Sequence, residues 1–265
     1  MDISQAIILA LVQGFTEFLP ISSSAHLVLT PVIAGWDDQG LAFDVAVHVG
    51  TLAAVVLYYR RELWVIATDF LASLGNRPGK PEADTVWYLV IGTIPVGVIG
   101  LLMQDDVEMF LRAPLVIAGA TIFFALILWW ADKTSRENQT DSAMDWKKAL
   151  LIGAFQALAL IPGTSRSGIT ITAGLLLGFK REFAARFSFL LSIPVIGLAG
   201  GLKALELFQS KSILPWDAVL IGIGVSAVTA YLSIGWFIGF LNRVGLFPFV
   251  LYRLVLGAVL IGVFL

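Results

Sequence analysis

The stretch Pro162-Gly163-Thr164-Ser165-Arg166-Ser167-Gly168 separates two apolar pieces, 147 to 161 and 168 to 179, and Pro20-Ile21-Ser22-Ser23-Ser24 separates another two, 3 to 19 and 22 to 35. About 20 apolar residues are needed to cross roughly 30 Å of hydrocarbon, so none of the four pieces crosses comfortably. Irregular polar backbone survives at membrane depth only where protein or enclosed water satisfies it. Both stretches therefore read as elbows of re-entrant helical hairpins, and that reading decides the fold.

Outward from the elbows, six longer apolar runs qualify as transmembrane spans: 41 to 59, 85 to 104, 113 to 131, 187 to 208, 218 to 241 and 247 to 265. Asp44, the Lys203/Glu206 end of the fourth and Arg253 in the sixth interrupt them. The order is hairpin, three spans, hairpin, three spans, which is an internal repeat. An odd number of full spans per half turns the second half upside down, the plan of many membrane carriers. The expected fold class is thus an all-α polytopic integral membrane protein with an inverted-topology repeat. It forms one membrane domain over 1–265, with repeat 1 at about 1–131 and repeat 2 at about 146–265.

Composition agrees with this. Of the 265 residues 58% are hydrophobic and 14% charged, and the mean hydropathy is +0.89, against roughly 45–50% and about 25% in soluble domains. The net charge of -2 leaves no basic face for nucleic acid. The absence of cysteine excludes disulfide frameworks and thiolate chemistry. Met1-Asp2-Ile3-Ser4 carries no basic n-region or cleavage signal, so the first apolar piece is expected to insert rather than be removed.

Loop charge sets the orientation. With the loop after 41 to 59 in the cytoplasm, Arg60, Arg61, Arg77, Lys80, Lys133, Arg136, Lys147, Lys148, Lys180, Arg181, Arg186 and Arg243 lie inside. Outside lie Arg112, Lys203 and Lys211, beside Asp37, Asp38, Asp105, Asp106 and Glu108. Both termini then face outward. Charge alone does not separate re-entry from ten crossings; segment length and the polar elbows do.

Ionised side chains near the bilayer centre oppose insertion by about 2.5–3.5 kcal/mol each, so Glu17 and Arg166 are expected to mark a site. Gln13 and Glu17 are four apart and share a helix face. Ser22, Ser23 and Ser24 cap the half-helix that follows them, and Ser23 and His26, three apart, are expected on one face. A neutral His26 could accept a proton or attack phosphorus. His48, one turn from Asp44, reads first as a helix–helix contact and second as a site residue. In the segment from Gly163 to Gly168, glycine permits close approach, hydroxyls donate, the half-helix start offers N–H groups and a positive dipole end, and Arg166 brings a planar fork. That combination describes an anion site, where the two half-helix starts would converge on one ligand.

At these residues the chain resembles the bacterial undecaprenyl-pyrophosphate phosphatase family of the BacA/UppP, bacitracin-resistance type. One family signature appears from Gln13 through Glu17, Pro20 and Ser23 to His26, the other from Pro162 to Thr170. Gln13 stands where the family also uses Glu, and Ser24-Ala25 where Thr-Gly is common. The resemblance implies hydrolysis of a C55 polyprenyl pyrophosphate, a membrane lipid, to the monophosphate carrier and inorganic phosphate. It also implies a bacterial inner-membrane site open to the outer face, and dependence on a divalent cation, Mg²⁺ or Ca²⁺. By that reading Arg166, with Gln13, Ser22, Ser165, Ser167 and Thr170, holds the pyrophosphate. Glu17 acts as base or, with Gln13, as metal ligand. Ser23 or His26 is the nucleophile, or one of them orients a water. The sequence does not fix the oligomeric state, and a homodimer is compatible with it. The main rival is a polyprenyl-phosphate or anion transporter or flippase on the same repeat. Acid-phosphatase-like lipid phosphatases place His after the Ser-Arg pair, whereas both histidines here precede Arg166. An intramembrane protease would need a Gly-x-Ser-x-Gly nucleophile turn, which does not accompany the Ser/His pair.

Overall fold

The computed structural model describes residues 1–74, 81–103, 113–210 and 216–265. Arg77, Lys80, Asp105, Asp106, Glu108, Arg112 and Lys211, which enter the charge argument, lie outside the described residues.

The first hairpin is α1 (Ile3–Thr16) and α2 (Ser23–Ala34), followed by α3 (Gly40–Tyr58), α4 (Arg60–Ser73), α5 (Pro81–Leu102) and α6 (Pro114–Thr134). The second hairpin is α7 (Trp146–Ala157), with a 3-10 turn at Leu158–Leu160, and α8 (Arg166–Leu176). Then come α9 (Arg181–Ser210), α10 (Trp216–Val244) and α11 (Phe247–Phe264). Among the described residues six helices, α3, α5, α6, α9, α10 and α11, are long and apolar enough to cross a membrane. The chain is an all-α, multi-pass membrane protein.

Two features depart from the sequence reading. Residues 60–73, read only as a connection, form the amphipathic helix α4, which exposes Trp64, Val65 and Leu71 while burying Ile66. Helix α9 begins at Arg181, six residues before the apolar run, because its first turns are anchored by ion pairs from Arg181 to Asp132 and Glu137 and from Arg186 to Glu62 and Asp141. A search for charge-free windows misses a helix that continues into the polar interface.

The hairpins pack across the halves. The first limb of each lies on the middle span of the other half, α1 on α10 and α7 on α5. Small residues let these backbones approach. A Cβ on Gly14 would lie 2.6 Å from the Ser226 carbonyl oxygen, and one on Gly153 only 2.4 Å from that of Gly92. Aspartates start both first limbs. Asp2 accepts from the Ile3 N–H in a capping box with Gln5, and Asp145 accepts from the Lys148 N–H. That backbone hydrogen bond holds the Asp145 carboxyl below its usual range.

Candidate active site

Both second limbs start the same way. Ser22 and Ser165, the residues before α2 and α8, have φ of 72° and 70°, a left-handed conformation rare for residues with a side chain. Such strain persists only where surrounding contacts over-determine it, and it concentrates at functional sites. In the second elbow the Ser165 hydroxyl accepts from the Gly168 N–H at 3.1 Å. In the first, Ser22 makes no side-chain cap and its hydroxyl pairs with that of Ser24 at 3.2 Å.

The two half-helix starts meet. Ser167 donates across the gap to the Leu19 carbonyl at 2.8 Å, and Arg166 Nη2 donates to Glu17 Oε1 at 3.1 Å. The other carboxylate oxygen, Glu17 Oε2, accepts from Ser23 Oγ at 2.7 Å and Gln13 Nε2 at 3.0 Å. His48 Nε2 stands 4.0 Å from the same oxygen. Arg166 Nη1 donates to the Ser188 carbonyl of α9 at 2.9 Å. Glu17 and Arg166 thus neutralise each other where an isolated charge would cost several kcal/mol.

Glu17, Ser23, His48 and Arg166 line a cavity of about 350 Å³ together with Ser22, Ser24 and Ser165, whereas Gln13 is fully buried behind Glu17 and off the cavity wall. Its wall also holds Leu41 and Asp44 at the start of α3, and Gly200 and Lys203 in the C-terminal third of α9, so it extends toward that end of both helices.

Several expected site residues fall elsewhere. Thr170 and Ser167 are buried and do not line the cavity; Thr170 shares a 2.7 Å hydrogen bond with Ser188 and caps carbonyls within α8. Ser23 and His26 do not point the same way. The His26 ring lies in an apolar groove of about 510 Å³ bounded by α1, α10 and α11, stacked on Tyr252 with ring centres 5.6 Å apart. His26 Nδ1 is 2.7 Å from the Ser22 carbonyl oxygen and Nε2 is 2.5 Å from the Tyr252 hydroxyl. A neutral imidazole protonated on Nδ1 satisfies both bonds, donating to Ser22 and accepting from Tyr252, and leaves neither nitrogen for substrate. In its place His48, read first as a packing contact, faces Glu17. The signal was present in the sequence, since an ionisable side chain inside a span is a site candidate by default.

Arg253 is the residue that sequence reasoning missed. Counted as an interruption of the last span, it is fully buried and donates through Nη2 to the carbonyls of Gly163 and Thr164, both at 2.9 Å. Gly163 must be glycine there: its φ is 93°, and a Cβ would lie 2.4 Å from the Ile117 carbonyl oxygen.

A divalent cation fits this donor set only in part from protein. Among the described residues no group of three His, Cys, Asp or Glu could hold one. Glu17 and the buried, unpartnered Gln13 Oε1 offer two hard oxygen positions, the number with which Mg²⁺ sites commonly combine substrate phosphates and water.

Comparison with known proteins places the chain. Its residues 6–259 match the family model described as bacitracin resistance protein BacA. It is 56% identical to undecaprenyl-diphosphatase 2 of Stutzerimonas stutzeri, covering 100% of this chain and 99% of that protein. It is 52% identical to an undecaprenyl-diphosphatase of Nitrosococcus oceani over the full length of both, and 54% identical to one of Chromohalobacter salexigens over 98% of each. With two polar elbows closed on one carboxylate–guanidinium pair and similarity running the length of the molecule, the chain belongs to the BacA family of bacitracin resistance proteins.

Proposed function

We infer that the chain is an integral membrane phosphatase that hydrolyses undecaprenyl pyrophosphate to undecaprenyl phosphate and inorganic phosphate, recycling the lipid carrier of cell-wall synthesis. The observation that carries this is the Ser23 hydroxyl bound at 2.7 Å to a carboxylate that is itself paired with Arg166, inside a cavity between two helix starts.

Phosphoryl transfer needs an aligned nucleophile and neutralisation of the equatorial oxygens more than covalent machinery. Ser23 Oγ attacks the terminal phosphorus as its proton passes to Glu17, the bond to the bridging oxygen breaks, and undecaprenyl phosphate leaves. Glu17 passes that proton to the departing undecaprenyl phosphate; water then attacks the phosphoserine, its proton goes to Glu17 and from there to Ser23 Oγ as the P–Oγ bond breaks, and inorganic phosphate departs with Ser23 regenerated. Two of the five guanidinium N–H groups of Arg166 are engaged by Glu17 and Ser188, so the rest of the fork and the α8 start serve the phosphate oxygens. Gln13 and His48 orient Glu17. Ser22 and Ser165 present backbone and hydroxyl groups from the two elbows. A bound Mg²⁺ or Ca²⁺, held by Glu17 and Gln13, would neutralise charge on both phosphates.

The inverted-topology repeat is supported by the reciprocal packing of α1 on α10 and α7 on α5. Loop charge supports a reading in which the cavity and both termini face the outer side of the inner membrane, where such a lipid is left by polymerases. A carrier on the same scaffold would need the anion site but no hydroxyl poised on a carboxylate. Purified protein in detergent, where sidedness is absent, decides between them. The wild type is expected to release inorganic phosphate from a polyprenyl pyrophosphate and Arg166→Ala almost none, whereas no release by wild type would overturn the enzyme.

A further inference from the structure

The two elbows are fastened from one place. Tyr252 and Arg253 are neighbours in α11. Tyr252 reaches the first elbow through His26, whose other nitrogen holds the carbonyl of Ser22. Arg253 reaches the second directly, holding the carbonyls of Gly163 and Thr164. In each elbow the held carbonyls belong to, or come just before, the left-handed serine. The next residue carries the working side chain: Ser23 in one elbow, Arg166 in the other.

The bonding is unusual for a packing contact. Among the described residues no carboxylate pairs with Arg253, and its Nε and Nη1 have no hydrogen-bond partner although the side chain is fully buried. A Cβ on Gly168 would lie 3.0 Å from Nη1, so α8 comes down onto the guanidinium as closely as glycine allows. A buried cation spent on two backbone oxygens fixes the direction of two peptide planes, which an apolar side chain of that volume cannot do. The His26 imidazole, both nitrogens engaged, does the same for Ser22.

We propose that Tyr252 and Arg253, with His26 as intermediary, are positioning residues: one turn of α11 sets the distance and angle between the two elbows, and so between Ser23–Glu17 and Arg166. This rests on the phosphatase reading and deepens it. Misplacement by about 1 Å far from reacting atoms can cost on the order of a hundredfold in rate, so the effect belongs in kcat.

The test uses the full chain in detergent with farnesyl pyrophosphate as the probe substrate, measuring phosphate release per folded molecule. Because the chain has no cysteine, nitroxide labels at Val28→Cys on α2 and Leu158→Cys beside the second elbow report the separation of the hairpins by pulsed dipolar spectroscopy. Arg253→Met is expected to lower kcat at least tenfold with KM changed less than threefold, and to broaden the distance distribution. Tyr252→Phe, which keeps the ring stack and removes the hydroxyl, should lower kcat three- to tenfold. Arg253→Lys, which keeps the charge but not the fork, should fall between wild type and Arg253→Met, and it carries the test if Arg253→Met does not insert. Melting temperatures lowered while kcat per folded molecule and the distance distribution stay at wild-type values would overturn the proposal, leaving these contacts as packing. An inactive wild type would instead remove the phosphatase reading.

Discussion

The two elbows share one backbone device and carry opposite chemistry. Each ends an aspartate-capped first limb, turns through a serine with positive φ and starts a second limb there. The first then supplies a carboxylate and a hydroxyl bound to it, Glu17 and Ser23; the second supplies the cation, Arg166. Their stiffness differs too. The second elbow caps itself through Ser165, carries Gly163 against α6 and is held by a guanidinium, while the first has no cap from Ser22 and relies on His26. The lesson is that neither half is a site alone. Separated, each would bury an unpaired charge; joined, they give a neutral pair on which a dianionic head group can act.

That contrast can be broken from either side. The largest loss is expected for Arg166→Ala, roughly 10²–10³-fold in kcat if its fork stabilises transition-state charge as donors of this type do. Phosphate release per folded molecule checks it, and near-normal turnover would remove the anion assignment. Ser23→Ala should approach the same loss with little change in KM, since the nucleophile acts only in the chemical step; retained turnover would return that role to water. Arg166→Lys should stay at least tenfold down, because a point charge cannot serve Glu17, the Ser188 carbonyl and phosphate together. His48→Gln should cost about threefold to tenfold, as it removes a neighbour from Glu17 and leaves the Ser23 bond. The smallest effect belongs to the limb caps. Asp145→Ala should lower thermal stability by about 0.5–1 kcal/mol and leave kcat unchanged. Because the folded-state pKa of Asp145 is lowered, the cap contributes at neutral pH and is lost only as pH falls below the ordinary aspartate value of 3.8. Asp145→Asn, which caps without titrating, should show no such step in a melting-temperature series against pH.

Most of the fold could be read from apolar run length. The six long runs become α3, α5, α6, α9, α10 and α11, and the four short ones become the hairpin limbs. Glu17, Ser23 and Arg166 could be found because charge and hydroxyl groups at elbows are costly without a purpose. What stayed hidden was direction. A spacing of three put Ser23 and His26 on one face, yet at the first turn of a helix that follows a left-handed residue, Ser23 turns back to Glu17 and His26 outward to Tyr252. Arg253 was equally hidden, since its partners are carbonyl oxygens some ninety residues away and the sequence shows no acidic counterpart for it.

The closure of Glu17 on Arg166 bears on how the catalyst lets go of what it makes. At rest the guanidinium already has an anionic companion, and a bound phosphate shares it with the carboxylate. A pyrophosphate ester, with its greater charge and more oxygens, gains most from the N–H groups left over; the lipid monophosphate left after cleavage gains least. With the carboxylate still in place to satisfy the arginine, the weaker-held product departs, and a greasy molecule is spared from lingering as an inhibitor.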